Sequence, residues 1–132
     1  MTFVDANILL DVAQAQGEWL AWSSARLRER FVAGPLIIND VVYAEVSVGF
    51  LANERLDSFL SLVGVEVLRT SRPALILAAR AHMEYRRQGG TRLGVLPDFF
   101  IGAHAALAGM PLLTRDARRY RTYFPTLSLI LP

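Results

Sequence analysis

The sequence predicts an α/β fold, a three-layer sandwich with a parallel sheet of about five strands and helices on both faces. Three observations carry this reading. Short apolar, β-branched runs alternate with longer segments of helical periodicity. Glycine and proline stand at the junctions between them. A chain of 132 residues with 53% hydrophobic content can bury one core but is short for two, so residues 1–132 are read as a single domain. Parallel strands need crossover connections, and helices in those crossovers cover the sheet.

In chain order, Phe3-Val4 is the first strand, followed by helical patterns from Ala6 to Gln14 and from Glu18 to Val32. Gly34-Pro35 breaks the pattern before the strand Leu36-Ile37-Ile38. Helical segments from Asp40 to Leu51 and from Leu56 to Val63 lead to the strand Val65-Glu66-Val67-Leu68. Two helices follow, Pro73 to Arg87 and Pro97 to Ala108, each opened by the proline that suits a first helical turn. Between them Gln88 to Pro97, with Gly89, Gly90 and Gly94, reads as a mobile connection. Gly109 and Pro111 end the last long helix before the strands Leu112-Leu113-Thr114 and Leu127-Ser128-Leu129-Ile130. The uncharged stretch from Phe99 to Thr114 contains Gly102, Gly109 and Pro111, and so reads as helix, turn and strand rather than a membrane span.

Composition removes several chemistries. With no cysteine, disulfides and thiolate metal sites are excluded, and any metal must be held by oxygen or by His82 and His104. All fourteen basic residues are arginine. Without lysine there is no P-loop and no ammonium to act as a point charge on phosphate. The formal charge of +2 says little about polyanions, although arginine is the better bidentate phosphate partner. Met1 to Asp5 lack the basic start and long apolar run of a secretory signal, so the chain is expected to act where it is made, in the cytoplasm.

In open α/β sheets, ligands bind outside the carboxyl ends of the strands. Asp5 directly follows the first strand, and Asp116 stands two residues beyond Thr114. Glu45 lies in the second turn of its helix, where side chains lean back toward the N-terminus and the same edge. Asp98 is in the first turn of the helix opened by Pro97. Singly, each has an ordinary explanation: Asp98 complements a helix dipole for about 0.3–1 kcal/mol, Asp5 and Asp116 are turn residues, and Glu45 is a solvated helix position. Together, four converging carboxylates repel one another unless a cation compensates, and hard oxygen donors select Mg²⁺, Ca²⁺ or Mn²⁺. Such an ion serves phosphodiester hydrolysis.

These motifs resemble the PIN-domain ribonucleases, and specifically the VapC toxins of toxin–antitoxin pairs. The resemblance rests on four blocks: Phe3-Val4-Asp5-Ala6-Asn7, Tyr43-Ala44-Glu45, Leu96-Pro97-Asp98-Phe99-Phe100-Ile101-Gly102-Ala103-His104-Ala105, and Leu112-Leu113-Thr114-Arg115-Asp116. D-x-N alone is weak; the four in this order across the whole chain are specific. The resemblance implies a PIN-like fold, with Asp5, Glu45, Asp98 and Asp116 around one or two Mg²⁺ or Mn²⁺ ions. It further implies endonucleolytic hydrolysis of a structured RNA such as tRNA or rRNA by a metal-bound water, and silencing by a VapB-like antitoxin. Asn7 and Thr114 match positions that orient carboxylates or water.

Arg115, Arg118 and Arg119 flank Asp116 and are the expected RNA contacts, with Tyr120 and Tyr123 interleaved for base stacking; Arg86, Arg87 and Arg92 border the mobile connection. His104 lies roughly 240° around the helix from Asp98 and is read, like His82, as a packing residue. Asp11 is expected to face solvent and Asp40 to cap a helix. Trp19 and Trp22 are either core or anchors for an antitoxin segment. A mean hydropathy of +0.32 leans toward buried interfaces, including a homodimer. Two other classes compete. A non-catalytic RNA- or protein-binding module would keep the fold without cleavage, and the intact acids oppose it. A phospho-acceptor receiver shares the topology, and the missing lysine opposes that.

Overall fold

The computed structural model describes residues 1–132. Its elements run β1 (Thr2–Val4), α1 (Ala6–Ala13), α2 (Leu20–Ala33), β2 (Leu36–Asn39), α3 (Asp40–Ser47), α4 (Asn53–Val63), β3 (Val65–Leu68), α5 (Arg72–Arg87), a 3₁₀ turn (Leu93–Val95), α6 (Leu96–Ala108), β4 (Leu112–Leu113), α7 (Arg118–Tyr123) and β5 (Leu129–Ile130). All five strands pair in parallel in the order β3-β2-β1-β4-β5, the α/β architecture the sequence predicts.

Strand order fixes where a site can form. From β1 the chain moves one way to β2 and β3, then crosses back to place β4 on the other side of β1. Connections therefore leave the carboxyl ends of β1 and β4 in opposite directions, opening a crevice between them. Phe3 pairs with Ile37 on one side and Leu112 on the other, and Val4 with Leu113. Successive strand residues face opposite sides of the sheet. Phe3 and Val4 are both fully buried, so helices cover both faces. Each such side chain contributes about 1.5–3 kcal/mol of burial free energy. Cover stops at the edge, where β3 is exposed from Glu66 onward.

Local chemistry explains where the elements depart from expectation. Asn39, rather than Asp40, caps α3, accepting a bond from the Val42 N–H at 3.0 Å. Asp40 instead accepts a hydrogen bond from the Thr70 hydroxyl. The helix expected to reach Leu51 ends at Ser47, whose hydroxyl bonds back to the Ala44 carbonyl at 2.6 Å just ahead of Gly49. The connection read as mobile holds the 3₁₀ turn, anchored by buried Val95 and by the Arg92 N–H donating to the Tyr85 hydroxyl at 3.0 Å. Helix α7 is six residues long, too short to show a periodic signature.

Gly102 lets α6 and α7 meet closely: a Cβ there would stand 2.5 Å from the Phe124 ring and 3.1 Å from that of Tyr120, both buried. A Gly102→Ala substitution is expected to destabilise the fold by about 1–3 kcal/mol through overpacking, read from the midpoint of urea unfolding.

Candidate functional site

Asp5 is the floor of the crevice and the most buried of the four acids, only 5% exposed. Its backbone N–H continues the sheet by donating to the Leu113 carbonyl at 3.0 Å, and its side chain caps α1 by accepting from the Ala6 N–H at 2.7 Å. Its other oxygen, Oδ2, accepts from the Thr114 hydroxyl at 2.7 Å, the Tyr120 hydroxyl at 2.9 Å and the Asn7 amide at 3.3 Å. Burial raises its pKa to about 6, aided by the negative charge of Asp98 and opposed by the hydrogen bonds from Thr114, Tyr120 and Ala6. Desolvation thus outweighs three favourable bonds.

The other acids arrive from three separate elements. Glu45, half-buried on α3, is pushed up to about 7 by desolvation and then by the charges of Asp5 and Asp98. Asp98, half-buried in the first turn of α6, is raised by burial against the opposing pull of Arg119. Asp116 follows β4 and is the most open, its side chain 54% exposed; it accepts a hydrogen bond from the Arg118 N–H at 3.1 Å. The charge couplings run Glu45 to Asp5 and Asp98, Asp5 to Asp98, and Asp98 to Asp116, so the four share one electrostatic neighbourhood.

The supporting residues also meet there. Thr114 has one hydroxyl proton, and at 2.7 Å Asp5 is its better acceptor; the same oxygen accepts from the Asp116 N–H at 3.1 Å and the Asn7 amide at 3.3 Å. Asn7 in turn accepts from the Arg115 N–H at 3.3 Å. The ends of β1 and β4 are thereby tied together beneath the acids.

Two expectations need correction, those for Asp11 and Tyr120, and two of the arginines expected at RNA have partners within the chain. Asp11 does not face solvent: it is buried, accepts a 2.6 Å bond from Ser23, and pairs with Arg115 through contacts of 2.9 and 3.0 Å. Arg115, one of the expected RNA contacts, thus pairs with Asp11 and has the Trp19 ring 5.1 Å from its guanidinium carbon. Arg119 also turns inward, its Nε donating to Asp98 at 2.7 Å and its Nη2 lying 3.7 Å from Asp116. Of the three arginines, Arg118 alone is exposed. Tyr120, expected to stack on bases, is buried with its hydroxyl on Asp5. Spacing alone could not separate its role from that of Tyr123, which is half-buried against Phe99 and Tyr85. The histidines pack: His104 against Phe3 and Asn39, His82 against Phe99 and Tyr85.

The donor set suits a hard divalent cation in kind and in charge, being all carboxylate, mutually repelling and compensated by one guanidinium. With the side chains as they stand, no three acidic or histidine groups are arranged to hold one ion together; Asp98 and Asp116 are both engaged by Arg119.

The sequence profile of the PIN domain matches residues 2–125. The chain belongs to the PIN domain family. Among solved structures, this PIN domain is similar to VapBC2 from Rickettsia felis bound to a promoter DNA fragment (18% identity, 99% of this chain and 98% of that one, TM-score 0.75). It is also similar to DNA-bound VapBC from Salmonella typhimurium (22%, 99% and 98%, 0.71) and to FitAcB from Neisseria gonorrhoeae (18%, 98% and 96%, 0.70). At these identities the likeness establishes the PIN fold. Comparison with curated proteins yields no match.

Two outcomes follow from the site. A carboxylate whose folded pKa is raised binds its proton more tightly in the folded state, so its contribution to stability is present at low pH and lost as pH rises toward and through the folded value. For Asp5 and Glu45 that window runs from about 4 to about 7. In chelator, Glu45→Gln should therefore gain thermal stability relative to the parent as pH rises from about 4.5 to about 7, with the two converging toward about pH 4; parallel melting curves across that range would contradict the assignment. Separately, Asp11→Ala leaves Arg115 without its partner and should cost about 3 kcal/mol in urea unfolding, the low end for a broken buried pair because Arg115 keeps some solvent.

Proposed function

We propose that this PIN domain is a metal-dependent endoribonuclease toxin that hydrolyses RNA phosphodiesters and is inhibited by a cognate VapB-like antitoxin in the cytoplasm. The observation that carries the reading is the gathering of Asp5, Glu45, Asp98 and Asp116 from four places in the chain at the β1/β4 crevice, with Asp5 and Glu45 raised to about 6 and about 7. Folding gains nothing from such repulsion, whereas a divalent cation would relieve it.

On this reading Asp5, Asp98 and Asp116 hold Mg²⁺ or Mn²⁺, and Glu45 completes the set or orients the attacking water. The bound ion supplies Lewis acidity toward the phosphoryl oxygens. Asn7 and Thr114 fix the orientation of Asp5, and Tyr120 restrains the same carboxylate from below. Beside Asp98 a cavity of about 270 Å³, lined by Tyr85, Arg92, Arg118, Arg119, Thr122 and Tyr123, offers guanidinium groups for phosphates and aromatic edges for bases. On another face, an apolar groove of about 320 Å³ that includes Val12, Leu27, Phe31, Leu62 and Val63 suits an amphipathic antitoxin segment. Support for that partner comes from the similar VapBC and FitAcB structures. The mean hydropathy of +0.32 and exposed apolar side chains such as Leu62, Leu96 and Leu107 favour a homodimer.

One observation favours a second reading, a non-catalytic RNA- or protein-binding module: Arg119 engages two of the acids, and no three acids are placed to share an ion. A cleavage assay separates the two. Purified chain should cut RNA with Mg²⁺ or Mn²⁺ and stop in chelator, and Asp98→Asn should lose at least about 100-fold in rate while still folding, since even an outer partner of a metal ligand is worth about 10–100-fold. RNA binding equal with and without chelator, and no cleavage, would support the module; full activity in Asp98→Asn would end the nuclease assignment.

A further inference from the structure

The site contains a cation of its own. Arg119 projects from α7 onto Asp98 of α6 at 2.7 Å and lies 3.7 Å from Asp116 beyond β4, with only 15% of its side chain exposed. Arg118, one residue earlier, is exposed and makes no ion pair, so the inward course of Arg119 is particular to that position. A guanidinium is planar, permanently charged and suited to carboxylates. Here it bridges Asp98 and Asp116, neither of which has another side-chain donor, whereas Asp5 is held by Thr114, Tyr120 and Asn7.

We infer that Arg119 is a resident counter-cation that competes with the divalent ion for Asp98 and Asp116, so that metal binding is an exchange of cations. The inference rests on the metal-dependent reading above. An ion held by Asp98 and Asp116 would lie beside a guanidinium that donates to Asp98 Oδ2 at 2.7 Å and stands 3.7 Å from Asp116, and two cations so close repel strongly. Arg119 also lines the cavity formed with Tyr85, Arg92, Arg118, Thr122 and Tyr123, which offers room into which the side chain would turn. The exchange keeps the carboxylates compensated before metal arrives and raises the metal concentration needed to half-fill the site.

The probe is Mn²⁺ alone, titrated calorimetrically into the purified chain without RNA. Arg119→Gln should bind Mn²⁺ about tenfold more tightly than the parent, because a competing positive charge has been removed from the ligands. Arg119→Lys keeps that charge and should restore an affinity within about threefold of the parent. Equal or weaker binding by Arg119→Gln overturns the exchange and makes Arg119 a support for Asp98. Absence of Mn²⁺ binding in parent and variants alike overturns the metal reading itself, a different failure. Should Arg119→Gln not fold, the parent still decides by NMR. The Arg119 Nε–H resonance, identified by its loss in Arg119→Lys, should be held against Asp98 in chelator and should shift on saturation with Mg²⁺. A resonance unmoved by Mg²⁺ that binds overturns the inference.

Discussion

The structure depends on one act of burial, the placing of a carboxylate at the carboxyl end of the central strand. Asp5 continues the backbone ladder of β1, caps α1 and is 5% exposed. Its environment is built to tolerate charge, with donors from Ala6, Asn7, Thr114 and Tyr120. It is still less favourable for the anion than water, because the lost hydration outweighs those bonds. The neighbouring acids deepen the conflict, and the Arg119 guanidinium offsets it at Asp98 and Asp116.

The second constraint is mechanical. Asp98 rides on α6, and Arg119 and Tyr120 ride on α7, so the charges of the crevice keep their spacing only while those helices stay in contact. The absence of a side chain at Gly102 permits the approach, and Phe124 and Tyr120 fill the space it leaves. One small residue inside a helix thus governs distances among charged groups that lie several residues away in both elements. The Asp11–Arg115 pair does similar work on the other side, holding the segment after β4 against α1 while the Arg115 backbone steadies Asn7.

Much of this was legible in the chain. Strand–helix alternation and the prolines and glycines at the junctions located the five strands and six of the seven helices, and the rule that ligands gather at strand carboxyl ends picked out the four acids. What escaped were features that depend on partners distant in sequence. The run Arg118-Arg119-Tyr120-Arg121 looks uniformly basic and exposed, and only the packing of α7 on α6 decides that Arg119 and Tyr120 turn inward while Arg118 and Arg121 do not. Asp11 sits in a polar-looking position whose burial follows from Ser23 on α2 and Arg115 beyond β4. The strand order was likewise hidden, since short parallel strands carry no pairing code beyond their hydrophobicity.

The chain has two tryptophans, and they meet edge to face with ring centres 6.1 Å apart. Trp19 also lies beside the Arg115 guanidinium, while Trp22 leans on the core. Intrinsic fluorescence of this protein is therefore a local gauge of the corner where α1, α2 and the segment after β4 come together. The cationic neighbour and the second indole make its emission sensitive to small openings there, so an optical signal comes built in for motions beside the carboxylate crevice without any attached dye.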